Sequence, residues 1–195
     1  NVKASIIIPC RNEDDKINLI IEDLINQNNM IHEVIVVNDQ STDNSENIIK
    51  KYPVKLINVT NKDDSYYGKS YALEYGSSFS NNEILIFIDA DVRLHKDAIN
   101  TLISLHLSKN KTISIQPYHE IKNLYESLSL PFNLIQLSAN HTTSYKGTAL
   151  GLYGPIIIIS KETYDLIGKH SKVKESIIED VSLGIELTKK NLEFE

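Results

Sequence analysis

Glu83-Ile84-Leu85-Ile86-Phe87-Ile88-Asp89-Ala90-Asp91 is the stretch on which the reading of this chain turns. Ile84 to Ile88 offers no polar face, and a strand apolar on both sides belongs in the middle of a parallel sheet covered by helices. The run then breaks into Asp89-Ala90-Asp91. In an open α/β sheet, ligands bind beyond the carboxyl ends of the strands. Carboxylates at i and i+2 of an extended segment face one side, where they can share a hard cation. Side by side they would otherwise repel; a divalent ion relieves that and offers open positions to a diphosphate. Small Ala90 leaves room for a bulky ligand.

Upstream, one pattern recurs: a short β-branched run, a polar loop, then an amphipathic stretch of helical period. Ser5 to Ile8 reads as a strand broken by Pro9, and 15–28 as a helix with Ile17, Ile20, Ile21, Leu24 and Ile25 on one face. Glu33 to Val37 is a strand, followed by the polar loop 38–43 and a short helix that ends at Tyr52 before Pro53. Val54 to Val59 is a third strand, and 68–79 a helix. Downstream follow a helix over 96–107, a strand over 113–116, a long apolar-periodic helix over 121–141 and a loop over 144–151. A strand over 154–159, a helix over 161–167, a loop over 168–174 and a helix over 178–190 complete the chain. Repeated strand–helix units predict an α/β fold, a three-layer sandwich around a mostly parallel sheet.

The 195 residues, 41% hydrophobic and 24% charged, suit one soluble domain that needs no disulfide or structural metal to fold. The lone Cys10 has no intramolecular partner and reads as a small buried residue. A net charge of −6, with Lys and Arg scattered, argues against nucleic acid as a partner. No apolar stretch approaches the roughly 20 residues that cross a bilayer. The chain starts at Asn1 and stops at Glu195 in strand-like sequence, so it reads as a C-terminally truncated piece of a longer protein.

The unusual polar residues follow strand ends: Arg11, Asn12 and Glu13, then Asp39, then Asp89 and Asp91. Singly, Asn and Asp there are commonly turn formers or helix caps, as Asp14 and Asp43 are expected to be. Acids at three strand ends on one sheet edge point further, to a metal and a phosphorylated ligand. No Gly-x-Gly-x-x-Gly follows the first strand, where Pro9-Cys10-Arg11-Asn12-Glu13 stands, which removes the main support for a dinucleotide oxidoreductase. Gly68-Lys69-Ser70 matches only the tail of a Walker motif, leaving Lys69 as a phosphate or base contact at the start of a helix.

The motifs Ile-Pro-x-Arg-Asn-Glu at 8–13, Val-Asn-Asp-x-Ser-x-Asp at 37–43, Gly-Lys-x-x-Ala at 68–72, Asp-Ala-Asp at 89–91 and Glu179-Asp180 occur in one order along nearly the whole chain. Together they resemble family 2 glycosyltransferases of the GT-A (Rossmann-like) fold. The runs 66–70, 114–119 and 132–134 further resemble bacterial members that act on carotenoid acids. The resemblance implies that Pro9, Arg11 and Glu13 pack around the nucleoside and that Asp39 accepts a hydrogen bond from uracil. It implies Lys69 near the base and phosphates, Asp89 near the ribose and diphosphate, Asp91 as ligand of Mn or Mg, and Asp180 as catalytic base. Residues 1–91 would form the nucleotide-sugar-binding half and 92–195 the acceptor half. The implied reaction is inverting transfer of a hexose, glucose the expected one, from a UDP-sugar to a lipophilic acceptor. Tyr118, His119 and Glu179 are candidate acceptor contacts, with Tyr125, Phe132, His141 and Tyr153 as further candidates for an apolar groove. Membrane association, at the cytoplasmic face, would come from segments outside this chain. Two other readings compete. A non-catalytic nucleotide-sugar-binding module would not need Asp180, since acids in a helix's first turn are favoured by its dipole alone. A sugar nucleotidyltransferase would want a glycine-rich loop after the first strand, and 11–15 has no glycine.

Overall fold

The computed structural model describes residues 2–27, 31–117 and 151–195, the side chains of residues 31 and 32 excepted. Six strands form one sheet: β1 (Ala4–Cys10), β2 (Ile31–Asn38), β3 (Lys55–Asn58), β4 (Ile84–Ile88), β5 (Ile113–Ile115) and β6 (Ile156–Ser160). Their order is β3-β2-β1-β4-β6-β5, so β4 is central and buried at every position, as its unbroken apolar run requires. β1 pairs in parallel with β2 and β4, and β2 with β3, whereas β6 runs antiparallel to both β4 and β5.

Side chains alternate across the sheet and build two cores, which makes the three layers. On one face Ile6, Ile8, Val36, Ile86 and Ile158 meet α1 (Ile17–Ile25), α2 (Ser45–Ile49) and α4 (Ala98–Lys109). On the other, Ile7, Val37, Leu85, Phe87 and Ile157 meet α3 (Ser70–Ser78), α5 (Lys161–Leu166) and α6 (Glu179–Lys189). Each isoleucine removed fully from water contributes about 1.5–3 kcal/mol of transfer free energy. Cys10 is buried and unpaired, a small core residue.

Several expectations are corrected. Pro9 does not break the first strand: it pairs with Val37, and it is tolerated because the β1–β4 ladder has already stopped at Ile7. Ile25 is 47% exposed, since α1 ends there and the last turn rolls off the core. The loop after α5 contains a 3-10 turn, His170–Val173. Residues 89–92 are not extended; they close a turn in which Val92 N–H donates to Asp89 O at 3.2 Å. The strand-like end of the chain is met by a bridge from Phe194 to Thr112 beside β5. The helix expected over 121–141 and the loop over 144–150 lie outside the described residues, as do Tyr118, His119, Tyr125, Phe132 and His141. Among the described residues no helix is long and apolar enough to cross a membrane.

Candidate active site

The parallel strands β1, β2 and β4 end on one edge, and their loops surround a cavity of about 620 Å³, within the usual range of ligand sites. Pro9, Arg11, Glu13, Asp39, Lys69, Asp89 and Asp91 all line it, so every residue expected in the nucleotide-sugar site meets there.

The first two loops are laced together. Asn12, left-handed at φ 57°, accepts from Thr42 N–H at 2.8 Å and donates its own N–H to Ser41 Oγ at 3.1 Å. Asp43 accepts from the N–H groups of Asp14 and Ser45. Asn12 and Asp43 thus do turn-making work and hold Arg11 and Glu13 at the rim. Asp39 N–H donates to Cys10 O at 2.8 Å, which carries the parallel ladder past the strand ends and buries the side chain. Its Oδ2 lies 2.6 Å from Lys62 Nζ and 3.9 Å from Arg11 Nη1, while Oδ1 is buried with no partner among the described residues.

A second set of charges gathers around Lys69. Its Nζ lies 2.6 Å from Asp89 Oδ1, 3.3 Å from Gly154 O, 3.8 Å from Asp180 Oδ2 and 3.9 Å from Glu179 Oε1. Burial pulls the Lys69 pKa down, but Asp180, Asp89 and Glu179 together leave it raised. One ammonium cannot compensate three carboxylates. Asp89 is therefore pushed up, by burial against the pull of Lys69, and Asp180 rises to about 7, by burial first and then by repulsion from Glu179 and Asp89 against the same lysine.

Close backbone contacts aim Asp180 here. Asp89 N–H donates to Pro155 O at 3.0 Å, fixing the 151–155 segment beside β4. A Cβ at Gly184 would lie 2.5 Å from Gly151 Cα, so α6 packs backbone to backbone on that segment. A Cβ at Gly154 would lie 1.8 Å from Asp180 Oδ2, so this glycine is the slot the carboxylate occupies.

Asp91 is exposed at the cavity, whereas Asp89 is already held by Lys69. Among the described residues no group of three or more His, Cys, Asp or Glu is placed to hold a metal. The turn at 89–92 replaces the extended segment in which the two acids would have faced one side, although both still line the cavity. Hard oxygen donors suit Mg or Mn, and one free carboxylate suits an ion that takes its other ligands from phosphates and water. The residues fit a metal that arrives with its nucleotide and do not fit a preformed cage.

The sequence reading missed Lys62, Tyr66 and Tyr67 as lining residues. Lys62 had a usable signal: it follows the carboxyl end of β3, the same edge that exposed Asp39 and Asp89. His170 lies on the core side of Phe87, fully buried, with Nδ1 against the Tyr164 hydroxyl. Burial, then the charge of Lys69, pulls its pKa down to about 3, so it stays neutral.

The sequence profile described as Glycosyl transferase family 2 matches residues 5–165. The 4,4'-diaponeurosporenoate glycosyltransferase of Staphylococcus haemolyticus is 36% identical over 189 residues, covering 92% of this chain and 50% of that protein. Its counterpart in Staphylococcus aureus (strain USA300) is 35% identical over 200 residues, covering 98% and 53%. The chain thus spans about half the length of these curated relatives. Among solved structures, a mannosyltransferase from Pyrobaculum calidifontis in complex with GDP-Man and Mn²⁺ superposes with a TM-score of 0.76 at 16% identity, covering 98% of this chain and 53% of that one. Glucosyl-3-phosphoglycerate synthase from Mycobacterium tuberculosis, solved with Mn²⁺, UDP and glucosyl-3-phosphoglycerate, gives a TM-score of 0.59 at 18% identity, covering 84% and 58%. The architecture is the GT-A fold.

Proposed function

The chain belongs to glycosyl transferase family 2, and we propose that it is the catalytic domain of an inverting enzyme that moves a hexose, glucose the expected one, from UDP to a lipophilic acceptor such as a carotenoid acid. The observation that carries this reading is the meeting of Asp39, Lys69, Asp89 and Asp91 in one cavity, with Asp180 3.8 Å from the same lysine ammonium. The relatives' names support the acceptor class, and the neighbours solved with nucleotides and Mn²⁺ support the donor class.

In this reading a bond forms from an acceptor oxygen to the anomeric carbon as the bond to the β-phosphate oxygen breaks, and UDP leaves. Asp39 and the first-strand loop hold the base. Lys69 is withdrawn from Asp89 and Asp180 toward the diphosphate, where its charge offsets the negative charge of the leaving group. Asp91, together with the phosphates, would hold Mn or Mg, and the ion would supply Lewis-acid stabilisation of the leaving group's charge. Asp180, with a pKa raised by burial to about 7, takes the proton of an acceptor hydroxyl. A carboxylate acceptor is already ionised near neutral pH and asks less of that base. Glu179, in the first turn of α6 with Asp180, belongs to the acceptor side, as do Tyr118 and His119 by expectation. Residues 1–91 supply the donor half and 92–195 the acceptor half. Attachment to the cytoplasmic face of the membrane would come from segments outside this chain.

Calorimetric titration with UDP and UDP-glucose, with and without Mn²⁺, tests the donor site. Metal-dependent binding that is lost in Asp91→Ala is the expected result; folded protein that binds neither ligand would overturn the reading.

A further inference from the structure

The two oxygens of Asp39 are not equivalent. Oδ2 is held by Lys62 Nζ at 2.6 Å, with Arg11 Nη1 at 3.9 Å, and Oδ1 is buried with no partner among the described residues. Both members of the pair are withdrawn from water, with 5% of the Asp39 side chain and 12% of the Lys62 side chain exposed. Lys62 is also anchored on Gly68 O at 3.4 Å, so its ammonium is fixed between the carboxylate and the turn that starts α3. Arg11, by contrast, is 61% exposed and at the limit of ion-pair distance.

We infer that Lys62, by sharing one oxygen of Asp39, leaves the other as the favoured acceptor for the base and is the residue that selects uracil over guanine. The inference rests on the proposed placement of a nucleotide base at Asp39 and adds to it the origin of the choice. Uracil presents one N–H between two carbonyls. Its N3–H donates to the free Oδ1, and a flanking carbonyl accepts from the Lys62 ammonium. Guanine presents two adjacent donors, N1–H and the N2 amine, which a carboxylate with both oxygens free would accept together. With Lys62 on Oδ2, the second of those donors would have to share that oxygen with an ammonium and sit beside its positive charge, and a buried donor that pairs poorly costs desolvation free energy. The site therefore works by rejection as much as by attraction. Cytosine, whose N3 is an acceptor, is repelled by the carboxylate itself, whatever stands at 62.

The test is calorimetric titration of the 195-residue chain with UDP and with GDP at one fixed Mn²⁺ concentration, repeated on Lys62→Met and Asp39→Asn. The quantity read is the ratio of the GDP to the UDP dissociation constant within each preparation, in which any unfolded fraction cancels. The wild type should prefer UDP, and Lys62→Met should lower the ratio by at least about tenfold, the scale of one hydrogen bond to a charged group. An unchanged ratio, with both affinities falling together, reduces Lys62 to a general attraction for phosphate and overturns the inference, as does a wild type that prefers GDP. Asp39→Asn separates this from the underlying reading. If it weakens UDP binding while Lys62→Met leaves the ratio untouched, only the inference fails. If neither substitution affects UDP binding, the base does not sit at Asp39 and both fail.

Discussion

Asp180 shows how one residue's surroundings set both reactivity and stability. Burial brings its pKa to about 7, against 3.8 for a free aspartate. As the proposed base it must be ionised, so kcat/KM on a hydroxyl acceptor is expected to rise about tenfold per pH unit below 7 and to level off above it. A pH–rate profile already flat at pH 5 would remove Asp180 from that role. The linkage to folding runs the other way. Between pH 4 and 7 the folded protein keeps a proton that the unfolded chain has lost, so this group's contribution to stability falls as pH rises through that window. Asp180→Asn should therefore be more stable than wild type at pH 8 by on the order of 2–4 kcal/mol, several degrees in melting temperature, and equal to it near pH 4. It should also lose on the order of 10²–10⁴ in turnover. Thermal melts at the two pH values check the first claim and initial rates the second. Gly154→Ala should reproduce the catalytic loss in milder form, at least about tenfold, because its Cβ can be accommodated only by moving the Asp180 carboxylate. UDP affinity should stay near wild type in that variant, and a loss of UDP binding instead would place the damage in the donor site.

Among the elements, α6 depends on backbone contact more than on its sequence pattern. Gly184 faces Gly151 Cα and Leu152 N at 2.5 and 2.7 Å from a would-be Cβ, and backbone cannot yield as a flexible side chain can. Gly184→Ala is expected to cost about 1–3 kcal/mol, read as a lower denaturation midpoint; a midpoint equal to wild type would mean that α6 is not seated this way. Nothing in the local sequence foretold this contact, because it joins residues 33 apart through the chain's path. Element type was more legible. The apolar run of β4 and the helical period of Ile17, Ile20, Ile21 and Leu24 are local signals, and both are obeyed, whereas the helix expected to end at Tyr52 stops at Ile49, before Pro53 is reached. The direction of β6 was not legible, since Ile156 to Ile159 is apolar on both faces and reads the same forwards and backwards. The turn at 89–92 was missed for a related reason: two acids flanking a small residue suit an extended edge and a turn alike. Strand ends located the site residues, but which lysine meets which acid is a tertiary fact. Lys62 with Asp39, and Lys69 with three acids, could not be paired from spacing.

At the scale of the whole molecule, the cavity proposed for the donor poses an electrostatic problem. The chain carries a net charge of −6, and the cavity edge brings Glu13, Asp39, Asp64, Asp89 and Asp91 together with Arg11, Lys62 and Lys69. Lys62 and Lys69 are already committed to acids of the chain itself, which leaves a diphosphate to enter a basin that is negative on balance. In the proposed reading a divalent cation at Asp91 would reverse that balance, and the diphosphate would in turn supply ligands that the described residues do not gather for it. The two should bind as a linked pair, each raising the other's affinity by the same factor, because coupling free energy is reciprocal. Titrating Mn²⁺ at several fixed UDP concentrations, and UDP at several fixed Mn²⁺ concentrations, measures that factor from both sides. We expect a factor of at least about tenfold, weak Mn²⁺ binding to the protein alone, and loss of the coupling in Asp91→Ala. Tight Mn²⁺ binding without nucleotide would mean a preformed cage that the described carboxylates do not make. UDP affinity indifferent to the metal would mean that Lys69, freed from Asp89, carries the diphosphate charge without help.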